Sequence, residues 1–116
     1  MKENIKGFSP LTETTFFILL ALNEPLHGYG IMNMVNELSS GRIKLGPGTL
    51  YGALSNLVES KLIEPLANDK RSRRKTYRIT SSGRKLLEYE IKRLKEIVKT
   101  ANDFIRKGSG KYERYK

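Results

Sequence analysis

Apolar residues in the first half of the chain recur at the spacing of helices, which are separated by short segments containing glycine, proline and serine. The first helix is predicted at residues 10–23, with Thr12 or Ser9 as its N-cap. Its side chains are apolar on nearly every side, and a helix of this kind is buried on more than one side. We therefore expect a second subunit to cover part of it. The second helix is predicted at residues 29–38 and ends in a Ser-Ser-Gly segment.

The third helix has two unlike faces. It begins near Pro47, whose missing N–H is no loss at a helix start, and its inward positions are Leu50, Leu54 and Leu57. The outward face carries the small, neutral residues Gly48, Thr49, Gly52, Ser55 and Asn56. A solvated helix face is normally filled with charged helix formers, and a glycine inside a helix costs about 1 kcal/mol relative to alanine. Such a face indicates close approach to another molecule.

Three segments have the alternating pattern of strands. Residues 42–45 predict a very short strand. Residues 62–67 predict a second strand, which Pro65 confines to the edge of a sheet, and residues 74–80 predict a third. An Asn-Asp pair between the last two strands marks a turn, so these two strands are expected to form a hairpin.

The last helix is predicted at residues 81–107, with Thr80 as its N-cap. Its apolar residues follow a heptad pattern and are Leu87, Ile91, Leu94, Val98, Ala101 and Ile105. A helix of about 25 residues is about 38 Å long, which exceeds the width of a small domain. One interpretation is an amphipathic helix on the core of its own domain. We favour a homodimer, whose interface would also include Phe16. Residues 108–116 are expected to be disordered.

Composition excludes several classes of function. A chain of 116 residues is expected to fold as one unit; it has no cysteine and one histidine, so no metal site and no cofactor are predicted. It contains no phosphate-binding loop, nucleophile elbow or dinucleotide fingerprint, and we do not expect an enzyme. The longest apolar run, residues 16–22, is far shorter than the roughly 20 residues of a membrane span. Without a signal-peptide pattern, a cytoplasmic location is expected.

The charge distribution indicates a polyanionic partner. The chain has 22 Lys and Arg against 12 Asp and Glu, a net charge of +10 at pH 7. A field of this sign favours DNA, RNA or an anionic membrane surface, whereas a purely solubilising charge would be spread evenly. Between Lys70 and Arg78, six of nine residues are basic and none is acidic. The positive charge is therefore concentrated on the predicted hairpin.

Three helices followed by a two-stranded hairpin have the order of a winged helix-turn-helix. The predicted fold class is mostly α (α+β), with a winged helix-turn-helix DNA-binding domain in residues 1–80 and a long C-terminal dimerisation helix in residues 81–107. In this arrangement the third helix enters the major groove and reads base edges. The basic hairpin, here called the wing, meets phosphates. The alternatives are a winged-helix protein-interaction module and a protein that binds nucleic acid without sequence preference.

Four stretches resemble the PadR family of bacterial transcriptional regulators, and they are LTETTFFILLALNEPLHGYGIM, GPGTLYGALSNL, RRKTYRIT and SSGRKLL. The combination of HGYG, GTLY and a basic wing in this order is specific, and the resemblance covers about residues 10–107. The chain is similar to the short branch of the family, which lacks a separate C-terminal domain. The resemblance implies a dimeric repressor that binds a palindromic operator in double-stranded DNA and is released by a small hydrophobic or aromatic effector.

The candidate DNA-binding residues lie on the second helix, on the third helix and the segment just before it, and on the wing, and several of them are assigned by resemblance to the family. They are Tyr29, Lys44, Pro47, Thr49, Tyr51, Ser55, Arg73, Arg74, Lys75, Tyr77 and Arg78. Tyr51 lies between the two faces of the third helix and is either a phosphate contact or a half-buried aromatic. His27 is interpreted as a packing or turn residue. Phe16, Phe17 and Leu94 are interpreted first as core or dimer residues and second as the lining of an effector pocket.

Overall fold

The computed structural model describes residues 4–66 and 74–116 of the chain. The described part is mostly helical with a small antiparallel sheet, and the predicted winged helix-turn-helix is confirmed. The helices are α1 (Glu13–Ala21), α2 (Gly28–Leu38), α3 (Pro47–Glu59) and α4 (Ser81–Lys107). The strands are β1 (Leu26–His27), β2 (Ile63–Leu66) and β3 (Thr76–Ile79).

The helix α1 is shorter at both ends than the predicted segment, residues 10–23. Thr12 is its N-cap, and the Thr12 hydroxyl oxygen accepts a hydrogen bond from the N–H of Thr15 at 3.1 Å. Ser9, the other candidate cap, instead donates its hydroxyl hydrogen to the carboxylate of Glu90, 2.8 Å away. The segment before α1 is therefore held by α4 and does not extend α1.

One core lies between α1, α2, α3 and the first turns of α4. Its fully buried apolar side chains include Ile18, Leu19, Leu22, Ile31, Val35, Leu50, Leu54, Ile63 and Leu86. The helix α3 begins at Pro47, as predicted, and buries the predicted Leu50, Leu54 and Leu57. Because these three leucines occupy one side of α3, the opposite side faces outward.

The sheet differs from the sequence-based prediction in its first strand. Residues 42–45, predicted as a strand, form none, because the backbone N–H groups of Arg42 and Ile43 donate to Ser39 at 3.1 and 3.0 Å and close a turn after α2. The strand β1 lies earlier in the chain and pairs with β3, with Leu26 opposite Tyr77. The strand order is β1-β3-β2, so β2 is an edge strand, as its proline predicted.

The base of the wing is fastened to the helices by backbone hydrogen bonds. The N–H of Ile79 donates to the carbonyl of Leu22 at 2.9 Å, and the N–H of Thr80 donates to the carbonyl of Leu62 at 3.1 Å. These bonds connect the end of β3 to the end of α1 and to the start of β2. The wing therefore leaves the core in a fixed direction.

The helix α4 begins at Ser81 behind the predicted N-cap Thr80 and buries side chains only in its first three turns. Beyond Glu90 its residues are exposed or half-buried. The tail was expected to be disordered, but its residues Gly110–Tyr115 form a 3₁₀ helix, and Tyr112 packs against Phe104 with ring centroids 5.8 Å apart. Within the described ranges, neither α4 nor any other helix combines the length and apolarity needed to cross a membrane.

Candidate nucleic-acid interface

The outward face of α3 is open and carries no charge over its central turns. Thr49 and Ser55 are exposed, and so are Pro47 at the start of the helix and Lys44 in the segment before it. If a Cβ atom were added at Gly52, it would meet no heavy atom of the described residues within 4 Å. The face is therefore accessible to a flat or grooved partner, and its hydroxyl groups can both donate and accept hydrogen bonds.

Tyr51 projects from the side of α3 toward the start of α2. A Cβ atom at Gly28 would overlap the Tyr51 hydroxyl oxygen and lie 3.0 Å from Cζ of the same ring. Gly28 is buried, whereas Tyr51 is 49% exposed and Tyr29 is 64% exposed. The absence of a side chain at Gly28 thus lets the Tyr51 ring lie against α2 with one side still open to solvent.

His27 has a role that the sequence did not reveal. Its Nδ1 accepts a hydrogen bond from the N–H of Gly30 at 3.2 Å, which makes His27 the N-cap of α2. Its Nε2 lies 3.4 Å from Nη1 of Arg74 on the wing. The interpretation of His27 as a turn residue is therefore incomplete. The position of His27, two residues before the predicted start of the second helix, was the available signal, but histidine is not among the preferred N-cap residues.

Four of the predicted DNA-binding residues line a single cavity of about 460 Å³ beside α3. They are Tyr29, Tyr51, Arg74 and Lys75, and His27 and Gly28 complete the lining. Among the described residues that line this cavity, none is acidic. The fold therefore brings two phenol groups and two cationic side chains from three separate segments to one place next to the outward face of α3.

Tyr77 does not belong to this surface, and its prediction as a DNA contact is not supported. It is only 7% exposed, because on β3 it faces the core on the same side as the buried Ile79. Burial raises the pKa of the Tyr77 phenol, and the neighbouring Tyr51 phenol raises it further. Tyr77 is thus a core residue that lies behind the interface.

Arg78 lies apart from the cavity that Arg74 lines. It faces Glu64 across the β2–β3 pair, with its Nε 2.6 Å from a carboxylate oxygen of Glu64. Arg78 also lines a different cavity, of about 570 Å³, together with Arg84 at the start of α4. Arg73 lies outside the described residues, as do the predicted turn of the hairpin and the rest of residues 67–73.

The second half of α4 presents an apolar face to solvent. Ile91, Leu94, Val98 and Ile105 of the predicted heptad pattern are exposed, as is Ala101, whereas Leu87 is buried. An apolar groove of about 730 Å³ shares Ala101 and Ile105 with this face. It is lined by Arg93, Glu96, Ile97, Thr100, Ala101, Phe104, Ile105 and Tyr112. Phe16 on α1, also predicted as a dimer residue, is half-buried.

Comparisons with known proteins agree with this geometry. A model of the transcriptional regulator PadR-like family matches residues 18–89. A crystal structure of a PadR family transcription regulator from Clostridium difficile R20291 has 28% sequence identity and a TM-score of 0.70, and covers 81% of this chain and 99% of that one. A transcriptional regulator from Clostridium thermocellum has the same fold at 23% identity and a TM-score of 0.64, over 90% of this chain and 99% of that one.

A curated relative extends the comparison to a longer protein. It is an uncharacterised 37.1 kDa protein in transposon Tn4556 of Streptomyces fradiae, 40% identical over 79 residues. The match covers 67% of this chain and spans 22% of the length of that protein.

The match to the family model includes the residues that build the interface. It begins in the buried half of α1, contains α2 and α3, and ends within the first turns of α4. Members of this family are transcriptional regulators rather than enzymes, and the fold described above is their DNA-binding fold. The chain therefore belongs to the transcriptional regulator PadR-like family.

Proposed function

We propose that the chain is a homodimeric, sequence-specific regulator whose α3 enters the major groove of DNA while the wing contacts the adjacent backbone. The observation that carries this proposal is the proximity of two surfaces, one suited to the major groove and one suited to phosphates. The exposed face of α3 is small and neutral, with Thr49 and Ser55 on it, and the cavity beside it holds Arg74 and Lys75.

The dimensions and chemistry of DNA suit these two surfaces. The major groove is about 12 Å wide and accepts one helix, and it presents donors and acceptors that hydroxyl side chains can bond. Small side chains on α3 allow the helix backbone to approach the base edges closely. The cationic groups lie at the side of α3, where the phosphates bordering the groove would pass, and phosphate contacts fix register without reading sequence.

Dimerisation is supported by the uncovered apolar face of α4. That face continues for about four turns beyond the last buried residue, Glu90, and it includes Ile105, which is 81% exposed. A second copy of the chain offers an identical apolar face, and a twofold-symmetric contact would bury both. Such a dimer binds a palindromic operator when its two α3 helices lie about 34–36 Å apart.

Repression, with release by a small effector, is the regulatory mode that the family resemblance supports. The apolar groove on α4 has a volume of about 730 Å³, within the range of about 300–1,000 Å³ usual for small-molecule sites. Its lining of Ile97, Phe104 and Tyr112 suits a hydrophobic or aromatic ligand. Because the groove shares Ala101 and Ile105 with the proposed dimer contact, a ligand there would change the arrangement of the two subunits.

Salt titrations of DNA binding test the proposal. Arg74→Ala removes one phosphate contact, so it should weaken binding to every duplex and reduce the slope of log K against log salt by about one. Lys92→Ala removes the same charge from the exposed side of α4 and should leave the slope unchanged. Thr49→Ala should also preserve the slope but should change which duplex sequence is preferred.

Each alternative predicts a different result in the same titrations. If the wild-type chain binds specific and scrambled duplexes equally, it binds nucleic acid without sequence preference. If it binds no duplex at low salt, the α3 face serves a protein partner. An Arg74→Ala slope equal to that of the wild type would contradict the assignment of the wing.

A further inference from the structure

The imidazole ring of His27 has a defined orientation and a defined proton position. Nδ1 accepts a hydrogen bond from the part-buried N–H of Gly30 at 3.2 Å, so Nδ1 carries no hydrogen. A neutral imidazole then has its hydrogen on Nε2, which makes Nε2 a donor. The opposite tautomer would let Nε2 accept from Arg74 over the longer distance of 3.4 Å, but it would leave the first turn of α2 without its cap.

Two donors therefore face each other across the gap between α2 and the wing. The guanidinium of Arg74 has five N–H groups and no acceptor, and Nε2 of His27 also donates. Donors at this distance cannot bond each other, but both can bond one oxygen placed beside them. A negatively charged oxygen is the strongest acceptor for such a pair.

The surroundings of this donor pair suit an anion. The cavity that contains it is also lined by Tyr29, Tyr51 and Lys75, and none of its described lining residues is acidic. The Tyr51 hydroxyl lies against Gly28, next to His27 in the chain, and adds another group that can donate. Hydroxyl, imidazole, guanidinium and ammonium donors thus meet within one cavity of about 460 Å³.

We propose that Nε2–H of His27 and the guanidinium of Arg74 together hold one phosphate of the DNA backbone, with the Tyr51 hydroxyl as a further donor. This proposal rests on the DNA-binding function proposed above. It adds His27 as an uncharged side chain that binds the phosphate. Ser and Asp are preferred to His as N-cap residues, but Ser lacks a second donor on the far side and Asp would repel the phosphate. The shared phosphate would fix the wing relative to α2.

The test compares binding of wild-type and His27→Asn chains to a duplex about 20 bp long, enough for two half-sites one helical turn apart. Asn keeps an oxygen that can cap α2 but cannot reach the position of Nε2. We expect an unchanged melting temperature and an affinity at least about tenfold lower, the usual scale for a lost hydrogen bond to a charged group. The salt slope should stay unchanged, because a neutral donor replaces no counterion, whereas Arg74→Ala should reduce it by about one.

The double variant should show that the two residues share one phosphate. His27→Asn combined with Arg74→Ala should lose less affinity than the sum of the two single losses, because either change alone already weakens the shared contact. Additive losses would contradict a common phosphate. A reduced salt slope in His27→Asn alone would contradict a neutral ligand.

A second measurement does not depend on a substitution. His27 is the only histidine of the chain, so labelling with ¹⁵N-histidine gives NMR signals from this ring alone. We expect the Nε2–H tautomer in the free protein, and a shifted, slowly exchanging Nε2–H proton after the duplex is added. The Nδ1–H tautomer, or a ring that does not respond to bound duplex, would overturn the proposal while leaving DNA binding intact. A wild-type chain that binds no duplex would instead overturn the proposed function itself.

Discussion

Gly83, in the first turn of α4, lies so close to the base of the wing that no side chain fits there. A Cβ atom at this position would overlap the carbonyl oxygen of Leu62 and lie 2.7 Å from Cγ1 of Ile79. Because a backbone carbonyl cannot rotate away, we expect Gly83→Ala to reduce the free energy of unfolding by about 1–3 kcal/mol. The melting temperature followed by circular dichroism would show this loss.

Gly52→Ala is the matched control for this substitution. It adds the same methyl group to a helix position that is open within the described residues. It should raise the free energy of unfolding by up to about 1 kcal/mol, since alanine is the better helix former. Equal melting temperatures for the two alanine variants would contradict the tight contact at Gly83.

The carboxylate of Glu90 fastens the segment before α1 to α4. It is fully buried and accepts hydrogen bonds from Nε of Arg93 at 2.5 Å, from the N–H of Leu11 at 2.5 Å and from the Ser9 hydroxyl at 2.8 Å. The hydrogen bond from Arg93 is the main reason that the pKa of Glu90 falls from 4.5 to about 2. Burial opposes this shift and raises the pKa, but the bonds from Arg93, Leu11 and Ser9 together outweigh it. Glu90 therefore keeps its charge in the folded chain at pH values at which an ordinary carboxyl group is protonated.

This lowered pKa predicts a pH dependence of stability. A carboxyl group whose folded pKa is depressed contributes stability that is fully present above about pH 4.5 and is lost as the pH falls toward 2. The difference in free energy of unfolding between wild type and Glu90→Gln should therefore become smaller as the pH is lowered from about 4.5 toward 2. Denaturant unfolding at equal protein concentration measures it, with Glu88→Gln on the exposed side of α4 as the control. A difference that is constant with pH would contradict the prediction.

At the scale of elements, the long periodic helices could be predicted from the sequence and the two-residue strand could not. The helices α3 and α4 begin where Pro47 and Thr80 indicate, because a proline start and a hydroxyl cap act locally. The strand β1 has no recognisable alternation and exists because it pairs with β3. Residues 42–45 do alternate, but the backbone N–H groups of Arg42 and Ile43 donate to Ser39 in the turn after α2.

Some residues of the candidate site could be predicted from the sequence, but their contacts with one another could not. Resemblance to the family identified four of the residues that line the cavity beside α3, but it did not identify His27 and did not show which face of β3 each residue occupies. Alternation with the buried Ile79 could have placed Tyr77 in the core. The position of Arg78 against Glu64 depends on strand register, and the contact between His27 and Arg74 depends on the β1–β3 pairing. These contacts are tertiary and leave no local pattern.

The exposed face of α4 predicts the effect of a single charged substitution. Leu94→Asp would place an unpaired carboxylate in the proposed dimer contact, where burial of the charge is costly, so we expect a monomer. Lys92→Asp introduces the same carboxylate on the opposite side of the helix and should remain a dimer. Analytical ultracentrifugation distinguishes the two masses. A dimeric Leu94→Asp chain would show that the contact lies elsewhere.

At the scale of the whole molecule, the spacing of the two α3 helices in the proposed dimer would couple the proposed effector groove to DNA. A ligand changes operator affinity only if it binds better to a dimer with a different spacing. A tenfold loss of operator affinity requires a coupling of about 1.4 kcal/mol, within the usual allosteric range. By reciprocity, operator DNA must weaken ligand binding by the same factor.

Calorimetric titration of planar aromatic compounds into the protein, with and without operator, measures this coupling. We expect the compounds that bind in the α4 groove to lose affinity in the presence of operator. Phe104→Ala, which removes one ring from the groove, should weaken the binding of these compounds without weakening the binding of DNA. Ligand affinities that are independent of DNA would contradict release by an effector.

The central claim, that a symmetric dimer of this chain reads DNA sequence through α3, is tested most directly by selection from a pool of random duplexes followed by sequencing. We expect enrichment of an inverted repeat whose half-site centres lie about 10–10.5 bp apart, or a multiple of this, because two α3 helices then enter grooves on one face of the duplex. In the selection with Thr49→Ala, the bases of the half-site should change while the spacing stays the same. A bound pool with no enriched sequence, or a single half-site without its inverted partner, would contradict the claim.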